Sequence, residues 1–268
     1  MPTAKIGDIT MNYTVHGTGD PVVLIGGYAS GYWQSWTKYL PILSAGHQVL
    51  AFDSRGSGGT DAPDVPYTVE MMADDTLGLM DHLCVERAHI IGRSLGGCIA
   101  QAIALRRPQV VRSLTMTSTF ARMGNRGRAL VAHWIDTVTE LGFPRFFEYL
   151  MTYFFSAGFY DSRPEEVRRA IDGLLSASRS VHGFRHTGHA VVTHDVMDRL
   201  NAISAPTLLL CGADDLITPA SHTREIAGQI PGAEVQIIPE AAHGFLTERP
   251  ESFNLIVDFL TRHHEIHA

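Results

Sequence analysis

Short apolar runs alternate with longer amphipathic stretches over most of the chain. The runs have the length and composition of buried strands, and the stretches between them repeat apolar residues at helical spacing. Strands that alternate with helices predict an α/β fold, in which a mostly parallel, twisted sheet is flanked by helices on both faces. The predicted strands are residues 11–16, 21–26, 48–53, 88–92, 111–117, 207–211 and 235–238, and the predicted helices are 36–43, 69–83, 97–106, 218–229 and 251–263.

The first two predicted strands are joined by a short segment, residues 17–20, that contains two glycines. Glycine adopts the backbone conformations that tight turns between antiparallel strands require. We therefore expect these two strands to pair as an antiparallel hairpin at the start of the chain.

The alternation of strands and helices stops between about residues 120 and 194. This stretch is rich in aromatic residues at helical spacing, is interrupted by Gly and Pro, and contains no clear strand. It predicts a helical cap over residues 120–194, inserted into an α/β core domain made of residues 1–119 and 195–268. Ligands bind outside the carboxyl ends of the strands in such sheets, where mobile covers control the entry of water and substrate. We expect two or three of the aromatic side chains to line a pocket.

Composition limits the classes of partner. The chain has 268 residues, of which 45% are hydrophobic, and a net charge of -7. No block of like charge is present, which argues against nucleic acid or an anionic membrane as the main partner. The first residues contain no apolar signal segment and no apolar stretch approaches the length of a membrane span, so a cytoplasmic protein is expected. A small-molecule substrate is the expected partner, and a homodimer stays open.

The cysteines and clustered histidines do not predict a metal site. Cys84, Cys98 and Cys211 form no C-x-x-C pair and are odd in number, which argues against a disulfide framework or a zinc site. No organised carboxylate or cysteine accompanies the histidines of the predicted cap, so they are expected at its surface or in a pocket. These histidines are His182, His186 and His189.

A five-residue motif suggests a nucleophile. Residues 92–96 read Gly-Arg-Ser-Leu-Gly and place Ser94 between a predicted buried strand and a predicted helix. Glycines where the backbone must turn sharply, with a serine between them, are typical of a turn that presents a nucleophile.

Two later turns carry the groups that such a serine needs. A hydroxyl is a poor nucleophile at neutral pH and requires a histidine base, oriented by a carboxylate. Asp214 and Asp215 follow the predicted strand 207–211, and His243 follows the predicted strand 235–238. Both turns are expected at the carboxyl edge of the sheet, where Ser94 also lies.

From residue 21 to the C-terminus the sequence resembles the α/β-hydrolase superfamily, in which the nucleophile, acid and histidine follow in this order. Within it, the chain is most similar to small hydrolases with a helical cap, which include 3-oxoadipate enol-lactonases, C–C hydrolases and carboxylesterases. The motifs that match are the oxyanion segment 24–28, the D-x-R-G-x-G-x-S-like segment 52–61, the serine turn 92–96, the G-x-x-D turn 212–215 and the segment Ala242-His243-Gly244.

The resemblance implies an α/β-hydrolase fold and a catalytic triad of Ser94, Asp215 and His243. The G-x-x-D spacing selects Asp215 and leaves Asp214 as a solvated turn residue. The implied function is the cleavage of a carboxylic ester or lactone of a small apolar substrate through an acyl-enzyme, with no metal or organic cofactor.

The resemblance also implies that the backbone N–H groups of Tyr28 and Leu95 form the oxyanion hole. Many relatives have His-Gly before the oxyanion residue, whereas this chain has Gly26-Gly27. A side chain that usually braces this loop is therefore missing, although a backbone donor does not depend on residue type.

Other functions stay open on the same residues. A C–C bond hydrolase of vinylogous diketones, an acyltransferase and a cofactor-free peroxidase could use the same triad. A non-enzymatic small-molecule receptor could keep the pocket alone. A pure binder has no need of a nucleophile and a base together, so the motifs favour an enzyme.

Arginines near the motifs allow further expectations. Arg55 is expected to anchor its Gly-rich loop through backbone carbonyls. Arg93 either forms a salt bridge within the fold or faces the pocket. Long cationic side chains of the predicted cap are expected to form a solvated face. These are Arg122, Arg126, Arg128 and Arg145.

Overall fold

Eight strands form one sheet in the computed structural model, which describes residues 1–177 and 179–264 and, at residues 32 and 33, the backbone alone. The predicted core range ends at residue 268, and its last four residues lie outside the described residues. The strand order is β1-β2-β4-β3-β5-β6-β7-β8, and all strands except β2 run in the same direction. The strands are β1 Thr3–Ile6, β2 Ile9–His16, β3 Asp20–Ile25, β4 His47–Phe52, β5 Ala88–Arg93, β6 Val111–Thr117, β7 Thr207–Gly212 and β8 Glu234–Ile238.

Helices cover both faces of the sheet, so the prediction of a mostly parallel sheet between helices is confirmed. Strands β6 and β7 are buried along their whole length, as their continuous apolar runs predict. The helices are α1 Tyr32–Trp36, α2 Leu40–Leu43, α3 Val69–His82, α4 Leu95–Arg106, α5 Asn125–Phe154, α6 Ala157–Ser162, α7 Pro164–Leu175, α8 Val181–Thr193, α9 Ala220–Gln229, α10 Phe245–Glu248 and α11 Phe253–Arg262.

The predicted hairpin between the first two strands is wrong. Strand β2 pairs with β1 on one side and with β4 on the other, where Tyr13 lies opposite Phe52. Strand β3 lies between β4 and β5 instead. Gly17, with φ of 71°, packs closely against the backbone that enters β4. The glycines between β2 and β3 therefore allow the chain to cross the start of β4 on its way from one side of that strand to the other.

Four helices, α5–α8, lie between β6 and β7, within the range for which the sequence predicts a cap. We call them the inserted helices. Gly142 interrupts α5 with φ of 80° and Pro144 follows, so this long helix consists of two pieces joined at a kink. The role of the inserted helices as a cap stays a prediction at this point.

Arg55 contacts carboxylates rather than the predicted backbone carbonyls. Its guanidinium donates to both carboxylate oxygens of Asp75, at 2.7 Å each, and to Asp8 at 2.9 and 3.2 Å. Because Asp75 lies on α3 and Asp8 follows β1, this buried arginine joins the Gly-rich loop to the edge of the core. The expectation of carbonyl anchoring is wrong, since nothing in the sequence places these two aspartates beside the loop.

The free energy of unfolding is expected to fall between pH 6.5 and pH 3 because of His89, which is fully buried on β5 and bonded to the Ser113 hydroxyl at 2.7 Å. Burial lowers the pKa of His89 from 6.5 to about 3. The unfolded chain therefore binds a proton in this window that the folded chain does not bind, and acid favours unfolding. The contribution to the slope is at most about 1.4 kcal/mol per pH unit.

Urea unfolding of the wild type and His89→Gln, at a series of pH values across this window, measures the effect. Glutamine does not titrate, so the variant should lose stability less steeply as the pH falls. Parallel curves for the two proteins would contradict the assignment.

Candidate active site

Ser94 lies at a sharp turn between β5 and α4. Its backbone is in the left-handed region, with φ of 53°. A Cβ on Gly92 would collide with the carbonyl oxygen of Gly96, and one on Gly96 would collide with that of Ile25. The Ser94 N–H donates to the carbonyl of Thr117 at 2.8 Å. The close approach of these backbones explains why glycines flank the serine at both sides of the turn.

His243 and Asp215 form a buried pair at the same edge of the sheet. The Nδ1 atom of His243 lies 2.9 Å from Oδ2 of Asp215, whose side chain is fully buried. Asp214, the neighbouring candidate, is exposed. The geometry thus pairs the histidine with the aspartate that the G-x-x-D spacing selects.

Asp215 is held in its ionised form by several donors. The N–H groups of Ile217 and Thr218 both donate to Oδ1 at 2.8 Å, and the Thr218 hydroxyl donates to Oδ2 at 2.9 Å. Burial alone would raise the pKa of Asp215, but the charge and hydrogen bond of His243, together with the Thr218 donors, outweigh it and lower the pKa. The carboxylate is therefore available to orient the imidazole and to stabilise its cation.

Thr218 is a site residue that sequence reasoning missed. Its hydroxyl lies 3.2 Å from Nδ1 of His243 as well as within hydrogen-bond distance of Asp215. A threonine three residues after the aspartate, ahead of Pro219, was the available signal, because such a residue can donate back to the carboxylate through the turn.

Two cavities meet at Ser94 and His243. The first, which we call the apolar cavity, has a volume of about 50 Å³ and is also lined by Tyr28 and Leu95. The second has a volume of about 490 Å³, within the range typical of ligand pockets. We call it the polar cavity because Ser30, Gln34 and Arg93 line it in addition to apolar side chains. Side chains of the inserted helices contribute Val131, Trp134, Phe146, Leu150 and Phe154 to the apolar cavity.

The two residues predicted to donate to the oxyanion, Tyr28 and Leu95, both line the apolar cavity with Ser94. Leu95 is the first residue of α4, and the first N–H groups of a helix have no acceptor within the helix. Tyr28 lies in the loop after β3 and lines the same cavity. Both residues therefore line the cavity that Ser94 also lines, and their role as oxyanion donors stays a prediction.

Other contacts brace the loop in which the sequence shows Gly26-Gly27. The Tyr28 hydroxyl donates to the carbonyl of Phe184 on α8 at 2.8 Å, and the two rings stack with centroids 4.5 Å apart. Arg179 donates to the carbonyl of Ala29 at 3.1 Å, and the Ser30 and Ser35 hydroxyls lie 2.9 Å apart. The loop is thus tied to the inserted helices rather than held by a histidine of its own.

Glu248 links the His243 loop to the end of α5 and was also missed. Its buried carboxylate accepts from the N–H of Ala242 at 2.9 Å and from the N–H of Ser156 at 3.0 Å. The N–H of Gly244 donates to the carbonyl of Phe154 at 2.7 Å. A single glutamate in a short helix carries no sequence pattern that could reveal this role.

The three clustered histidines of the predicted cap join α8 to the loop 62–67. His182 bonds to the carbonyl of Ala62 at 2.8 Å, and His186 contacts Asp64 at 2.6 Å. His189 lies 3.1 Å from the carbonyl of Tyr67. Within residues 1–177 and 179–264, no three His, Cys, Asp or Glu side chains are grouped as a metal site would require.

Among the described helices, none is both long and apolar enough to cross a membrane.

Comparison with known proteins identifies the family. A family model described as alpha/beta hydrolase fold matches residues 20–250. The 3-oxoadipate enol-lactonase 2 of Acinetobacter baylyi is 28% identical, over 96% of this chain and 94% of its own. A hydrolase structure from Pseudomonas aeruginosa PA01 has 30% identity and a TM-score of 0.88, covering 97% of both chains.

The enol-lactonase structure from Burkholderia xenovorans LB400 has 27% identity and a TM-score of 0.90, covering 97% of this chain and 100% of its own. The resemblance to hydrolases, including enol-lactonases, is confirmed by these matches. They support an enzyme of the hydrolase type. This chain belongs to the α/β-hydrolase family.

Proposed function

We propose that this protein is a serine hydrolase that cleaves a carboxylic ester or a lactone. The observation that carries the proposal is the 2.9 Å contact between His243 and the buried, ionised Asp215, at the edge of a cavity that Ser94 also lines. A nucleophile and an oriented base beside one cavity are the requirements of acyl transfer. The names of the enol-lactonase relatives support a cyclic or open-chain ester as the substrate.

In the proposed mechanism, the Ser94 hydroxyl attacks the substrate carbonyl carbon while Nε2 of His243 takes its proton. The backbone N–H groups of Tyr28 and Leu95 stabilise the oxyanion. The C–O bond to the alcohol then breaks, and the histidine gives its proton to the departing oxygen. Asp215 keeps its negative charge and stabilises the imidazolium throughout.

Water completes the reaction by the same route. His243 removes a proton from the water as it attacks the acyl-enzyme, and returns that proton to Ser94 when the acid leaves. For a lactone, the alcohol and the acid stay in one product, a hydroxy acid. No step requires a metal or an organic cofactor.

We also propose that the inserted helices act as a cap over this site, in line with a division into a core of residues 1–119 and 195–268 and a cap of 120–194. Support comes from the apolar side chains that α5 contributes to the apolar cavity and from the bond between Tyr28 and Phe184. An apolar cover would exclude water from the acyl-enzyme until the alcohol departs. We propose that the enzyme acts on small-molecule substrates in the cytoplasm.

Treatment with a fluorophosphonate probe, followed by intact-mass analysis, tests for an activated serine without the true substrate. The wild type should gain a single adduct that is absent from Ser94→Ala. Ser162→Ala, which removes an exposed hydroxyl on α6, should be labelled like the wild type. A folded wild type that gains no adduct, or an adduct that survives in Ser94→Ala, would refute the proposed nucleophile.

A further inference from the structure

Arg93 immediately precedes Ser94 and lines the polar cavity together with Ser94 and His243. We propose that this arginine binds a carboxylate of the substrate, so that the enzyme takes esters or lactones with one apolar portion and one carboxylate-bearing portion. This inference rests on the proposed hydrolase function and adds the substrate class.

The guanidinium of Arg93 has little use within the fold. Within the described residues it makes one long hydrogen bond, 3.4 Å to the carbonyl of His243, and lies over the ring of Phe154, 5.1 Å from its centroid. No carboxylate of the described residues lies within 4.0 Å of its nitrogens. Of the two alternatives that the sequence leaves open, Arg93 therefore faces the cavity and does not form a salt bridge.

Three other arginines that are buried or partly buried make shorter hydrogen bonds than Arg93. Arg55 pairs with Asp75 and Asp8, and Arg112 pairs with Asp20 at 3.0 Å. Arg179 donates to three backbone carbonyls. A guanidinium has five N–H donors, so Arg93 keeps most of its capacity for a ligand.

A cation in this position calls for an anion. Burial lowers the pKa of Arg93, and the charges of Tyr39 and Asp215 oppose this shift only in part. Guanidinium groups bind carboxylates in a planar, two-pronged geometry that fixes orientation as well as charge. A substrate carboxylate in the polar cavity would supply the missing partner a short distance from Ser94.

The other charged residues that line the cavity differ from Arg93 in their partners or in their exposure. Glu166, its acidic residue, is bonded to Arg163 at 3.1 Å. Arg169 lies at the exposed side of the cavity, where its side chain bonds to the carbonyl of Glu165. The cap arginines 122, 126, 128 and 145 are exposed, as predicted, and line neither cavity.

Binding to the inactive Ser94→Ala protein tests the inference independently of turnover. Calorimetric titration would compare 4-(butyryloxymethyl)benzoate with its amide, and the monobutyl ester of succinic acid with its amide, so that the carboxylate is placed on either side of the ester. In at least one pair the carboxylate should bind about 10- to 100-fold more tightly. Equal affinities in both pairs would overturn the inference.

Substitutions at Arg93 assign the effect to this side chain. Arg93→Met, combined with Ser94→Ala, should abolish the preference for the carboxylate, and Arg93→Lys should restore part of it. Arg145→Met is the matched control, because Arg145 is exposed and paired with Glu148. A carboxylate preference that persists undiminished in the Arg93→Met protein would also overturn the inference.

Turnover of the same esters separates this inference from the proposed function. If the wild type hydrolyses the carboxylate-bearing esters and their amide counterparts at equal rates, and binds them equally well, the hydrolase function is supported and the carboxylate site is refuted. If the carboxylate-bearing esters bind tightly but are not hydrolysed, and the probe labels no serine, the Arg93 site is supported and the hydrolase function is refuted.

Discussion

Ser94→Ala is expected to lower kcat/KM for an ester substrate by at least about 10,000-fold, because loss of the nucleophile leaves only binding and the oxyanion donors to assist water. Alanine keeps the Cβ atom and the same backbone constraints at φ of 53°. The substitution should therefore leave the fold intact. Steady-state kinetics and a thermal melt of the variant measure the two effects.

The melt is the necessary control, since a loss of activity through unfolding would carry no mechanistic meaning. Ser162→Ala should match the wild type in both measurements. If a folded Ser94→Ala protein kept ester hydrolysis near the wild-type rate, another residue would have to supply the nucleophile, and the proposed mechanism would be wrong.

Asp215→Asn is expected to lower kcat by about 10,000-fold while changing KM little, because an amide neither stabilises the imidazolium nor enforces the tautomer with a proton on Nδ1. The Asp215 carboxylate accepts hydrogen bonds from His243, from two backbone N–H groups and from the Thr218 hydroxyl, and it uses both of its oxygens to do so. An asparagine could accept these bonds through one oxygen only.

Asp214→Asn is a closely matched control, since it removes the charge of the adjacent, exposed acid. It should keep nearly full activity. Comparable losses in both variants would mean that the charge of the turn, rather than the contact with His243, determines the rate. A large loss in Asp214→Asn alone would refute the choice of Asp215.

The parts of the site that could be predicted from sequence are those fixed by local chemistry. The turn at Ser94 needs glycines at positions 92 and 96 because neighbouring backbones leave no room for a Cβ. The motif of residues 92–96 is therefore recognisable from the sequence alone. Alternation of apolar runs likewise predicts buried parallel strands such as β7.

What failed or was missed depends on contacts between distant segments. The pairing of β2 with β4 rather than β3 follows from how the sheet is assembled, and the two glycines between β2 and β3 are compatible with either outcome. Arg55 finds Asp75 and Asp8 in the same way. The partners of Glu248 are 92 and 6 residues away and are backbone groups, which carry no residue-specific signal.

The attachment of Tyr28 to Phe184 has a consequence for how this enzyme can diverge. The residue whose N–H is proposed to hold the oxyanion also anchors its side chain on α8, 156 residues away in sequence. Recombination that exchanged the segment 120–194 for one with a different position of α8, or with no aromatic residue at 184, would therefore remove a contact made by residue 28. Functional chimeras should require the β3 loop and α8 to be inherited together, so that these two distant segments evolve as one unit.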